Sequence, residues 1–239
     1  MNKQRKGFTL VELLVVIGIL GLLMSVLVPK VTDALFTADL RAMSINGKGI
    51  IDAINAQSVS GTDLWAHRVQ ADGLNTSDPE EFNGMTFGSA TEYFEALFDT
   101  THQTTATWAP RISNSLLQNL WGFGVPAARA GQLQNVNVGW SIISGMPSSA
   151  DDDTPVLISR NVQPTGFATA GTQDMSSQRN PVTWNTTWPT PFGQKGCVVI
   201  FKNGRAATFM AQDARLNKIY EKMPTISIPD GITYQYLVP

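Results

Sequence analysis

The sequence predicts an α+β protein, with one long N-terminal helix followed by a C-terminal antiparallel sheet. Three observations carry this expectation. The 21 residues from Phe8 to Val28 hold a single charge, Glu12. Residues 31–57 place apolar side chains at helical spacing. Beyond residue 134, short apolar stretches lie between turn residues, and Asn203-Gly204 sits between two of them as a hairpin signal.

The helix follows a short basic leader. Met1 to Gly7 contain Lys3, Arg5 and Lys6 and no acid. Leu13 to Val28 is an unbroken run of 16 uncharged residues. At about 1.5 Å per residue, Phe8 to Pro29 spans roughly 33 Å as a helix, enough for a bilayer core. The basic flank holds residues 1–7 on the cytoplasmic side, which puts the rest of the chain outside. Nothing later in the sequence is long and apolar enough for a second span. A secretory signal peptide would need a small-x-small cleavage site after the run, yet it ends Ser25-Val26-Leu27-Val28-Pro29-Lys30. A plain anchor leaves Glu12 unexplained, because a carboxylate at the centre of a span costs on the order of 2.5–3.5 kcal/mol. Gly18, Gly21 and Ser25 share one helix face, where small residues permit close helix approach. Pro29 removes one helix hydrogen bond; the pattern continues past it, which predicts a kink rather than an end.

Lys6-Gly7-Phe8-Thr9-Leu10-Val11-Glu12 closely resembles the processing motif of type IV prepilins and type II secretion pseudopilins. The resemblance covers residues 1 to about 30. It implies that a prepilin peptidase cuts between Gly7 and Phe8 and that Phe8 is then N-methylated. Glu12 falls at the fifth mature position, where the family carries its glutamate, and Pro29 at the twenty-second, where many members carry a proline. The implied role of Glu12 is assembly, by pairing with the cationic amine of a neighbouring subunit. The implied fold is pilin-like, and the implied function is a structural filament subunit rather than an enzyme. Its partners would be copies of itself, other pilins or pseudopilins, the prepilin peptidase, an inner-membrane assembly platform and, before assembly, membrane lipid. Its location would be the bacterial inner membrane, with an exported periplasmic domain, and then the filament.

Beyond the membrane segment, three stripes run along residues 31–57. Val31, Leu35, Ala38, Ala42, Ile45 and Gly49 form one. Phe36, Leu40, Met43, Gly47, Ile50 and Ile54 form a second. The third is polar: Asp33, Thr37, Arg41, Ser44, Lys48, Asp52 and Asn55. Two adjacent apolar stripes make an arc wider than a coiled-coil seam. Core packing in the same chain accounts for part of it, and neighbouring subunits would account for the rest. The expected division is a leader at 1–7, a transmembrane and filament-core helix at 8–29, its amphipathic continuation at 30–57 and an exported globular domain at 58–239.

Residues 58–134 read as irregular, with a capping box at Ser89-Ala90-Thr91-Glu92 opening a helix to Leu97 or Phe98 and a second short helix around Ile112 to Trp121. Val136–Ile143 and Pro155–Ser159 read as strands, as do Cys197–Lys202 and Arg205–Met210 around a two-residue type I′ turn. Asp213 is expected to cap a short helix to about Lys222, and Ile232–Leu237 to end the chain as a strand. Residues 160–196, rich in Gly, Pro, Thr and Asn, read as a long loop.

Composition excludes several functions. Hydrophobic residues make up 43% of the chain, too many for a disordered protein. Charged residues make up only 15%, and the net charge is −2, so no basic excess exists for nucleic acid. Cys197 is the single cysteine, which precludes an internal disulfide and a Cys-rich metal site; at the start of an apolar strand it reads as a buried free thiol. His67 and His102 are isolated, and no catalytic grouping can be argued from spacing. No cofactor is expected. Asp151, Asp152 and Asp153 are weak calcium candidates, because consecutive acids cannot all face one ion; a solvated turn is the favoured reading. Trp184 and Trp188 suggest a carbohydrate surface, against the plainer reading that they anchor long loops. The lack of a C-terminal disulfide leans the family reading towards a type II secretion pseudopilin. A surface pilin serving adhesion, motility or DNA uptake is the alternative, as is an exported binding module or enzyme anchored by a pilin-type leader.

Overall fold

The computed structural model describes residues 8–59, 87–98, 112–122, 124–129, 131–146, 150–164, 171–228 and 234–239. Two compact units divide the chain, Met1–Asp39 and Leu40–Pro239. Helix α1, Leu10–Val59, crosses that division without interruption.

In the first unit, the described chain is the N-terminal part of α1. Its side chains from Phe8 to Leu35 are all exposed. The helix continues through Pro29. Thr32 Oγ1 donates to Val28 O at 3.0 Å and Ser25 Oγ donates to Leu22 O at 2.7 Å, so both hydroxyls turn back onto the helix carbonyls around the proline.

In the second unit, α1 packs on a sheet. Leu40, Met43, Ile50, Ile51 and Ile54 are buried. Gly47 lies so close to the sheet that an added Cβ would sit 2.7 Å from both Ile200 Cγ1 and Trp140 Cη2. The glycine therefore lets the helix backbone approach the strands. Asn55 Nδ2 donates to Lys202 O at 2.7 Å.

Helix α2, Ala90–Phe98, carries the expected cap. Glu92 N donates to Ser89 Oγ, while Glu92 Oε2 accepts from Gly88 N, one residue upstream of the usual reciprocal partner. The second expected helix is a 3₁₀ helix, Asn114–Leu120, capped by Ser113. Among the described residues nine strands follow: β1 Trp140–Ser144, β2 Pro155–Ser159, β3 Val162–Gln163, β4 Gly171–Asp174, β5 Thr183–Trp184, β6 Gly196–Phe201, β7 Ala206–Met210, β8 Thr225–Ile228 and β9 Gln235–Leu237. Helix α3 is Leu216–Ile219. A five-stranded sheet has the order β7-β6-β2-β1-β9, with every pair antiparallel. Two short ribbons, β3-β5 and β4-β8, lie outside it. The long N-terminal helix and the C-terminal antiparallel sheet give the α+β arrangement that fits a pilin-like fold.

Strand alternation assigns the two faces of the sheet. Trp140 and Ile200 face α1, and the indole Nε1 of Trp140 donates to Asn119 O at 2.9 Å. Ile143 points the other way, as does its cross-strand partner Tyr236, whose hydroxyl donates to Pro155 O. Both faces are covered at β1, β2 and β6, and β6 is buried along its whole length, whereas the edge strand β7 is exposed at alternate residues.

Four expectations are corrected. Asn203-Gly204 does not form a two-residue type I′ turn. Gly204 has φ +78°, but Asn203 does not share the positive φ that such a turn needs at both positions. Gly204 N donates to Phe201 O and Phe201 N to Arg205 O, which closes a three-residue loop at 202–204. The strand expected at Val136–Ile143 starts only at Trp140; Asn135–Asn137 is a 3₁₀ turn whose carbonyls are taken by Arg160 instead of a ladder. Asp213 caps nothing: α3 begins after Arg215 and ends at Ile219. Residues 160–196 hold β3, β4, β5 and a 3₁₀ turn at Met175–Ser177, because β3 finds a backbone partner in β5 and β4 one in β8, while Asn161 Nδ2 donates to the carbonyls of Gly193 and Gly196. The last strand is seen as Gln235–Leu237, and the residues just before it lie outside the described ones.

Candidate functional site: the N-terminal helix

The start of α1 is closed by a reciprocal cap. Thr9 is the last residue before the helix. Its backbone N–H and its Oγ1 hydroxyl both donate to Glu12 Oε2 at 2.8 Å, and Glu12 N donates back to Thr9 Oγ1 at 3.3 Å. Thr9-Leu10-Val11-Glu12 is the S/T-x-x-E capping pattern, so a local sequence signal for the cap exists. Glu12 itself is exposed, as is Phe8 beside it. Gly7 and the basic residues before it lie outside the described residues.

From there α1 presents apolar side chains in every direction. It is long and apolar enough to cross a membrane, with a mean hydropathy of 2.8 in its most apolar window. Around Gly18 and Gly21 an added Cβ would meet nothing within 4 Å. Further along, the two apolar stripes part company. Leu40, Met43, Gly47, Ile50 and Ile54 of the second stripe are buried and Phe36 is half-buried. The first stripe is open from Val31 to Ile45: Leu35 is 61% and Ile45 70% exposed, and Val31, Ala38 and Ala42 are exposed too. Its last member, Gly49, is half-buried against Asn119, so this chain's own core uses the second stripe and only the end of the first.

The other candidates resolve into structural roles. Asp152 pairs with Lys202 Nζ at 3.1 Å and Asp153 with Arg205 Nη2 at 3.4 Å, while Asp151 accepts from the Asp153 backbone N–H. These carboxylates face cations of the β6–β7 hairpin, and among the described residues no three His, Cys, Asp or Glu side chains converge as a metal site. Cys197 is fully buried in β6, and burial pushes its thiol pKa up to about 12. Trp188 lies against the guanidinium of Arg160, so it is used inside the fold, and Trp140 belongs to the core. Trp65, Trp108, His67 and His102 lie outside the described residues. A shallow polar groove of about 580 Å³, lined by residues that include Gln132, Gln134 and Asn137, has no titratable side chain in its lining.

Sequence reasoning missed Arg160. It is 2% exposed and pairs with no carboxylate among the described residues. Nη1 donates to the carbonyls of Asn135, Val136 and Val138, Nε to Thr190 O and Nη2 to Thr190 Oγ1. Nothing in a segment that reads as a polar loop distinguishes an inward arginine from a solvated one.

Residues 2–28 match the family model described as the prokaryotic N-terminal methylation motif. That motif is the type IV pilin and pseudopilin signature, and here it lies on the leader and the exposed half of α1. No curated protein and no solved structure matches the chain.

Proposed function

We propose that the chain is a structural subunit of a type IV pilus-like filament, made as a membrane-anchored precursor and assembled through α1. The observation that carries this reading is the methylation motif at residues 2–28 on a helix whose side chains are exposed all round from Phe8 to Leu35. A helix that is apolar on every side needs apolar surroundings along its whole length. Lipid supplies them before assembly, and the helices of other subunits supply them afterwards. The open stripe from Val31 to Ile45 extends the same demand beyond the membrane.

In this reading a prepilin peptidase hydrolyses the Gly7–Phe8 peptide bond and the new amine of Phe8 is N-methylated. Residues 1–7 are the leader, held on the cytoplasmic side by Lys3, Arg5 and Lys6. Residues 8–29 form the membrane and filament core, 30–57 its amphipathic continuation and 58–239 the exported domain. The methylated amine stays cationic and pairs with Glu12 of a neighbouring subunit. Such a pair sets axial register more than it adds net stability, because desolvation of both charges offsets their attraction.

Within this class, a pseudopilin of a type II secretion system is favoured over a surface pilin. The support is the single, buried Cys197, which leaves no disulfide to close a C-terminal loop. A deletion strain tested for secretion and for surface pili separates the two.

N-terminal mass spectrometry tests the whole reading and should find N-methyl-phenylalanine from Phe8. A terminus after residue 28, or an uncut leader in cells with active peptidase, would overturn it. Glu12→Ala should be cut normally but fail to enter filaments.

A further inference from the structure

We infer that Asn203-Gly204 is a self-modification site, where the asparagine side chain loses ammonia without an enzyme, and that the docking of α1 on the β6–β7 loop holds it unreactive. The inference stands on this loop alone and holds whether or not the chain enters filaments. The chemistry needs only the two residues and water. The backbone nitrogen of Gly204 attacks Cγ of Asn203, a ring C–N bond forms, and Nδ2 leaves as ammonia. Water then opens the cyclic imide at one of its two carbonyls and gives aspartate or isoaspartate. Glycine in the second position favours the closure, since it has no side chain to crowd the attacking nitrogen and its backbone turns freely. Asn203 is exposed, so water reaches its carboxamide, whereas Gly204 is buried.

The fold engages each reacting group. Gly204 N donates to Phe201 O at 2.9 Å, so the nucleophile is tied into the loop. Asn203 Oδ1 accepts from Arg205 N at 2.9 Å and Nδ2 donates to Asp153 Oδ1 at 3.3 Å, which fixes the carboxamide in one orientation. From the other side, α1 clamps the loop. Asn55 Nδ2 donates to Lys202 O at 2.7 Å and Lys48 Nζ to Gly204 O at 3.5 Å. Gly204 lies so close to the helix that an added Cβ would sit 2.6 Å from Asp52 Oδ1. The ring closes only when Gly204 N leaves Phe201 O and the backbone at 203–204 turns, and a glycine pressed under α1 has no room to turn. Asn46-Gly47 is the same pair inside α1, where the helix itself must unwind first, so the loop is the weaker lock. The product is one-way. Aspartate at position 203 brings a carboxylate, instead of a donor, against Asp153. Isoaspartate adds a methylene to the backbone of a loop whose length is set by the pairing of Ile200 with Ala206. The reaction therefore marks chains whose α1 has lifted from the sheet.

The test follows the full-length, detergent-solubilised chain at neutral pH by peptide mass mapping. Folded protein and protein in urea are incubated side by side, and the share of the Asn203 peptide that has exchanged amide for acid is read at intervals. In urea the exchange should proceed at Asn203. In the folded protein it should be at least about tenfold slower, because the hydrogen bonds of Gly204 N and Asn203 Oδ1 must break first. Asn55→Ala should stay folded, as its melting curve checks, yet raise the folded rate about fivefold, the size expected for one lost hydrogen bond. Lys48→Ala, at an exposed position, makes the same comparison should Asn55→Ala unfold. Asn203→Ser should show no exchange in this peptide under either condition. Absence of exchange at Asn203 in urea would overturn the site. Equal rates in urea and in the folded protein would overturn the protection. Wild-type rates in the folded Asn55→Ala and Lys48→Ala variants would leave the protection to the loop alone and overturn the part assigned to α1.

Discussion

Arg160 holds its guanidinium over the indole of Trp188, with Cζ 5.1 Å from the ring centroid. Below that stack it donates to the carbonyls of Asn135, Val136, Val138 and Thr190. One side chain thus ties together two segments that are far apart in sequence. Burial pulls its pKa down to about 10, which still leaves it cationic at neutral pH. Lysine has one nitrogen and cannot reach this spread of acceptors. Arg160→Lys should therefore lose about 1–3 kcal/mol, since the buried Val138 carbonyl and its part-buried neighbours lose their donor. Urea unfolding of the detergent-solubilised chain, compared with the wild type, measures this loss.

Gly47 makes the opposite kind of contact, one with no side chain at all. Replacing glycine by alanine inside a helix normally gains up to about 1 kcal/mol. Here the new methyl would lie 2.7 Å from Ile200 Cγ1 and Trp140 Cη2. Gly47→Ala should instead cost about 1–3 kcal/mol through overpacking. Gly21→Ala has nothing within 4 Å and should show that ordinary gain of up to about 1 kcal/mol. Parallel thermal melts of the two variants separate the effects.

The two apolar stripes of α1 permit a test of which face assembles. Ile50 is fully buried and Ile45 is 70% exposed. Ile50→Asp should prevent folding, because it places an unpaired charge in the core. Ile45→Asp should change the stability of the lone subunit by no more than about 0.5 kcal/mol. In cells the same Ile45→Asp variant should be processed and then excluded from filaments. Its normal incorporation would show that this stripe faces solvent in the assembly.

Burial of Cys197 sets a direction for alkaline stability. Its folded pKa, about 12, lies above the ordinary thiol value of 9.0. Above pH 9 the unfolded chain releases a proton that the folded chain retains, so stability is full below pH 9 and falls as pH rises towards 12. Tyr220 and Tyr236 are also buried with raised pKa values, and they add to the fall above about pH 10. Cys197→Ala should flatten the part of the decline that begins near pH 9. In the native protein, thiol reagents should leave Cys197 untouched until denaturant is added.

What sequence reasoning could reach depended on the range of the interaction. The methylation motif, the apolar run, the Ser89 cap and strand Pro155–Ser159 were all legible, because each is fixed by neighbours within a few residues. The Thr9–Glu12 cap belongs with them, since its partners are three residues apart. Asn203-Gly204 located the hairpin correctly but not its loop length. The pairing of Ile200 with Ala206, Val199 with Ala207 and Val198 with Thr208 fixes that length, and pairing is a property of two strands.

The sequence by itself determined the architecture and the N-terminal motif: one long helix, a C-terminal antiparallel sheet, and the methylation motif at residues 2–28. The tertiary structure alone decided which apolar stripe is core and which remains open. Periodicity makes Leu40 and Ile45 equally apolar, and only the position of the sheet under Gly47 buries one and exposes the other. It also decided that Arg160 points inward and that Asp152 and Asp153 face Lys202 and Arg205. Those outcomes depend on carbonyls and cations that lie 22 to 52 residues away along the chain, and a local reading of the sequence contains no term for them.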